Sequence, residues 1–139
     1  MKSLGITNNI AYFDTLIDEV TDTTTSGHVY CAGAKAVMLV FSSAAVSDTQ
    51  DRTMTLTVEV NNDNSSTYHA YNMLIDNAAD TNEQGLTRVA SKTIAGTVAT
   101  HLLWFTPETL GAIARFRVKL ARDTAGTAGT FTVKSSVVY

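Results

Sequence analysis

A single cysteine, Cys31, and a single proline, Pro107, occur in 139 residues. One cysteine excludes an intrachain disulfide and any multi-cysteine metal site, and it suits synthesis in a reducing cytosol. Charge is also scarce. Charged residues make up 17% of the chain, against roughly 25% in a typical soluble domain. The net charge of -3 is the wrong sign for a nucleic-acid binder, which normally carries a basic patch. The opening "MKSLGITNNIAYF" lacks the apolar core of a signal peptide. The longest apolar runs, "AVMLVF" and "HLLWF", fall far short of the roughly 20 residues of a membrane helix. The expectation is a soluble, non-secreted protein with neither a nucleic-acid nor a membrane partner.

Signatures of chemistry are equally sparse. His28, His69 and His101 stand apart, with no HxH or HExxH spacing to hold a metal. The histidine set with which cupin enzymes bind metal on a jelly-roll scaffold is therefore missing. No GxSxG nucleophile elbow and no glycine-rich phosphate loop is present. Asp14, Asp18, Glu19 and Asp22 read as a solvated acidic segment rather than a general-acid pair. Asn61, Asp63 and Ser65 hint at calcium spacing, but no glutamate follows at the twelfth position, so the stretch reads as a turn. Asn64 matches a glycosylation acceptor that means little without secretion. Cys31 reads as a small buried hydrophobe. No catalytic residue, metal or cofactor is expected; an enzyme on a jelly-roll scaffold ranks last.

What the chain does have is β-structure. Threonine supplies about one residue in six, and β-branched side chains pack well on a pleated surface. "TMTLTVEV" (53–60) alternates without exception, setting Met54, Leu56, Val58 and Val60 against Thr53, Thr55, Thr57 and Glu59. That pattern is a strand with one dry and one wet face. Further strands are expected at 9–13, 28–32, 35–42, 67–74, 86–94, 98–105, 112–121 and 130–139. Residues 14–20 fit either a strand or one helical face, and 75–85 reads as a long polar loop. In 112–121, Ala114, Phe116, Val118 and Leu120 face inward, while Arg115, Arg117 and Lys119 form an outward basic stripe. In 130–139, Phe131, Val133, Val137 and Tyr139 share one face. Eight or nine strands at this spacing predict one all-β domain over 1–139, an antiparallel β-sandwich of jelly-roll type with two sheets of four. An immunoglobulin-like sandwich is second, without its Cys…Trp…Cys pattern.

Two strands break the half-wet rule. Val37, Leu39 and Phe41 face one way in "KAVMLVF", yet Ala36, Met38 and Val40 on the reverse are apolar too. "HLLWF" sets Leu103 and Phe105 against Leu102 and Trp104. An antiparallel sandwich strand is normally polar outside, so something covers these faces. Either loops of the same chain, such as 14–22 or 75–85, fold over them, or a subunit interface does. Trp, Met and Phe are enriched at interfaces, and Ala36, Met38, Val40, Leu102 and Trp104 are the candidate self-association surface.

The segment "YNMLIDNAADTNEQGLTRVASKTIAG" (71–96) and the closing "TFTVKSSVVY" resemble small proteins of tailed-phage structural modules. The resemblance runs through Val58, Val60, Thr67, Tyr68, Tyr71, Asn72, Leu74 and Ile75, then Thr81, Asn82, Gln84, Leu86, Thr87, Arg88 and Val89. It covers roughly the last two-thirds of the chain and contains no catalytic signature. Such proteins look like capsid decoration, or cement, proteins: jelly-roll subunits, commonly homotrimeric, seated where major capsid proteins meet on the outer shell. The resemblance implies a structural virion protein, made in the host cytoplasm, with the major capsid protein as partner. It also implies a capsid-contacting arm over residues 1–22, with Ile6, Ile10, Tyr12, Phe13, Leu16 and Ile17 as contacts. The alternative is a carbohydrate- or receptor-binding β-sandwich module of a phage fibre or head fibre, reading glycans through Tyr30, Tyr68, Tyr71 and Trp104.

Overall fold

A computed structural model describes residues 13–44, 52–62, 66–76, 86–95, 99–107, 113–123, 126 and 129–139. In chain order the strands are β1 (Asp14–Val20), β2 (Thr24–Thr25), β3 (Val29–Tyr30), β4 (Ala36–Ala44), β5 (Thr53–Asn61) and β6 (His69–Tyr71). They continue as β7 (Met73–Asp76), β8 (Leu86–Val89), β9 (Lys92–Ala95), β10 (Ala99–Phe105), β11 (Arg115–Arg122) and β12 (Thr130–Val138). The expected strand over 9–13 lies outside the described residues but for Phe13.

All pairings are antiparallel. One sheet has the order β1-β12-β4-β10-β7-β8. The second runs β2-β11-β5-β6, with β3 also on β11 and β9 also on β5. Because β2 and β3 occupy successive stretches of one edge, and β6 and β9 of the other, this sheet is four strands wide. The pairing nests: β1 with β12, β2 and β3 with β11, β4 with β10, β5 with β6 and β9. First pairs with last and each inner strand with its counterpart, which is the connectivity of a jelly roll.

Three sequence expectations need correction. The first sheet is six strands wide rather than four. The expected strand over 67–74 divides at Asn72, with β6 in the four-wide sheet and β7 in the six-wide one. The strand over 86–94 divides likewise at Ala90–Ser91, between β8 and β9. The β7–β8 pair thus widens the six-stranded sheet beyond β10. Alternation continues through such a crossing, so the periodicity carries no trace of the switch. Residues 14–20 resolve as strand, paired to β12 with two register irregularities.

Between the sheets, Val37, Leu39, Phe41, Leu103, Phe105, Phe131 and Val133 meet Met54, Leu56, Val58, Phe116, Val118 and Leu120. Phe105 locks the layers together, edge-on to Tyr71 at 5.6 Å and to Phe116 at 5.4 Å. Edge-on aromatic pairs add to what area burial alone contributes. The β2–β3 break is bridged rather than left open. Ser26 N donates to the Val118 carbonyl at 2.8 Å, and its Oγ accepts from Val118 N at 2.9 Å. A turn at Cys31–Ala34 follows, with Gly33 at φ 76°, a conformation that suits a residue without Cβ. Arg52 ties down the start of β12, donating to the carbonyls of Gly126 at 3.1 Å and Gly129 at 2.6 Å.

Candidate functional site: an apolar outer face

Register brings the two anomalous strands side by side. Met38 lies directly opposite Trp104, and Val40 opposite Leu102, on neighbouring β4 and β10. Their alternates Val37, Leu39, Phe41, Leu103 and Phe105 are buried in the core. Ala36, Met38, Leu102 and Trp104 therefore share the outer face, where they line a depression of about 290 Å³. Leu102 is 42% exposed there, and Ala36, Met38, Val40 and Trp104 are half-buried. The face extends onto β12, because Val138 pairs with Ala36 and remains 38% exposed. Tyr139 follows it and is 69% exposed. Tyr139 was expected to share the inner face with Val137. It is exposed because β12 ends at Val138, opposite the first residue of β4, and Tyr139 runs past the paired strands. The polar rim on β12 is the exposed Lys134, opposite Val40; Ser136, opposite Met38, is itself buried.

Of the chain segments expected as covers, residues 14–20 join the sheet beside β12, two strands from β4. They extend this sheet rather than lie over its face. Ile75 and Asp76 belong to β7, next to β10 in the same sheet; residues 77–85 lie outside the described residues. Among the expected arm contacts, Ile6, Ile10 and Tyr12 also lie outside them. Phe13 and Leu16 are half-buried, and Leu16 packs against the core. Ile17 is corrected from a surface contact to a core residue, 4% exposed and opposite Val133. An isoleucine held between the sheets offers no area to another molecule.

The opposite outer face differs in kind. Thr53, Thr55, Thr57 and Glu59 line β5 beside Arg115, Arg117 and Lys119 on β11. Arg117 Nε donates to Glu59 Oε2 at 2.6 Å across the strand pair, and its guanidinium lies 4.1 Å from the Tyr68 ring centre. Arg115 Nε donates to Asn61 Oδ1 at 3.2 Å, with its guanidinium 5.9 Å from the same ring. Asn61, itself buried, donates from Nδ2 to the Thr67 carbonyl at 2.5 Å. Charged and amide groups here are bonded to one another, as burial of polar atoms requires. Arg115 and Arg117 of the basic stripe thus belong to a built network, while Lys119 is exposed. The stripe's signal in the sequence was the alternation at 115–119; the pairing with Glu59 and Tyr68 depends on register, which spacing does not supply.

The four aromatics considered for glycan binding do not form one platform. Trp104 is on the six-stranded sheet, Tyr68 stacks under Arg117, and Tyr71 turns toward Phe105. Tyr30 stands at a sheet edge, edge-on to His28 at 5.1 Å.

Two of the described titratable groups are shifted by their surroundings. Burial pushes the Cys31 thiol up to about 11, which keeps it protonated and inert at neutral pH. Burial lowers the pKa of His101, and the positive charge of Lys92 lowers it further. Among the described residues, no three His, Cys, Asp or Glu side chains group to hold a metal ion. Nor is any helix there long and apolar enough to cross a membrane. No protein-family model matches the chain, and neither a curated protein nor a solved structure matches it.

Proposed function

We propose that this chain is a structural virion protein, a capsid decoration protein that binds the outer surface of a phage head and bridges major capsid proteins. The observation that carries the reading is the apolar outer face of β4 and β10, with Met38 against Trp104 and Val40 against Leu102. A jelly roll presenting such a face is a rigid body with a surface that gains by contact. At roughly 25 cal/mol per Å² of apolar area removed from water, even a modest contact there stabilises association. The motif resemblance at 71–96 supplies the setting, and copies of this chain are the neighbours that cover the face.

In this reading the protein transforms nothing. Each copy buries surface on its neighbours and on the shell, so pressure from packaged DNA must break these contacts before capsid subunits part. Repeating weak contacts over a lattice makes the whole attachment far tighter than one contact alone. Cosedimentation with expanded phage shells tests the reading: the protein should pellet with shells at saturating, regular stoichiometry. Recovery wholly in the supernatant, with shells of several tailed phages, would overturn it.

A further inference from the structure

The β1 edge of the six-stranded sheet and the outer face of the four-wide sheet are complementary in charge. On the six-stranded sheet, β1 carries the exposed carboxylates Asp14, Asp18 and Glu19. It lies two strands from β4 and its apolar depression, a separation of about 10 Å at the usual strand spacing. Lys134, on the strand between, is one cation against these three acids. On the four-wide sheet, Arg115, Arg117 and Lys119 alternate outward along β11. Tyr30, 64% exposed, stands directly opposite Arg115. Tyr68 and Glu59 hold the Arg117 guanidinium in place. A cation and aromatic ring fixed before contact lose little side-chain freedom on binding, and Arg and Tyr are common interface anchors.

We infer that the chain associates with a second copy of itself head to tail. The apolar face and acidic β1 edge of one copy meet the Tyr30, Arg115 and Lys119 face of the next. This rests on the self-association in the function proposed above and assigns its geometry. Like-to-like packing of the β11 face would set Arg115 and Lys119 against their own copies, with Glu59 already neutralising Arg117, which is electrostatically unfavourable. Head-to-tail packing instead sets them against the carboxylates of β1 and brings Tyr30 to an apolar surface. A contact between two different patches closes into a ring when its rotation divides the circle evenly. With the two patches on opposite faces of the sandwich, successive copies stack along one axis, and the contact does not close on itself.

Sedimentation velocity of the full chain at about 20 mM and about 500 mM salt tests the inference, because such contacts weaken as ions screen them. The chain should be oligomeric at low salt and associate about tenfold more weakly at high salt. Lys119→Glu with Arg115→Glu should weaken low-salt association by about tenfold or more. Asp14→Lys with Asp18→Lys should do the same. All four changes in one chain should restore it, a recovery that a damaged fold does not give; Lys119→Glu alone serves if the Arg115 change perturbs folding by circular dichroism. A chain monomeric throughout, association insensitive to salt and to both reversals, or no recovery in the fourfold variant would each overturn the head-to-tail contact. Restored association without pelleting on shells would sink the decoration reading alone.

Discussion

Single side chains divide between those that hold the layers together and those that report on their surroundings. Phe105 belongs to the first group, since it touches both Tyr71 and Phe116 across the sandwich. Phe105→Ala removes those ring contacts and leaves a cavity, so it should lower stability by about 3–5 kcal/mol in urea unfolding. His101 belongs to the second. Its pKa lies below the ordinary 6.5, through burial and then the Lys92 charge, so the folded chain binds fewer protons than the unfolded one once pH falls below that range. The stability it contributes is present above the unfolded pKa and is lost as pH falls through the folded one. Melting curves should therefore show stability dropping as pH falls below 6.5, and His101→Gln should make that drop shallower. An unchanged slope would place the acid sensitivity elsewhere. Alternation alone identified Val37, Leu39, Phe41, Met54, Leu56, Val58, Phe116 and Val118 as inward, and all are buried. Ile17 was missed because a segment with Asp18 and Glu19 beside it reads as surface. The bulged pairing of β1 with β12 is what turns that one side chain in.

Elements are legible when their signal is local. β4, β5, β10 and β11 follow the expected alternation, β12 follows it only as far as Ser135, beyond which Ser136 is buried too, and the doubly apolar character of β4 and β10 was visible before their pairing was known. That pairing was not, since nothing in either strand states that Met38 will face Trp104. Nor does composition reveal that the chain changes sheets at Asn72 and again at Ala90–Ser91, because both crossings occur without proline or glycine. The apolar face makes an element-level prediction. Met38→Glu or Val40→Asp, on the outer side of β4, should dissociate the oligomer by light scattering while circular dichroism keeps its β signal. Unfolding of either variant would instead mean that this side of β4 is needed inside the subunit. The edges show a different economy. β1 is charged and bulged, and β2 with β3 is broken at Ser26, features that discourage uncontrolled pairing with another sheet.

At the scale of the molecule, the nesting of the strands has a consequence for how the chain is made. Glu19 N donates to Thr132 Oγ1 at 3.1 Å, a partner 113 positions away, and β4 takes one of its two neighbours from the same late strand. Non-local pairing of this kind is slow to form. A ribosome therefore releases every strand through β11 before β1 and β4 find their companion, and through that interval greasy strands wait beside a missing neighbour. Nascent chains halted before β12 should be the species that chaperones hold and proteases remove.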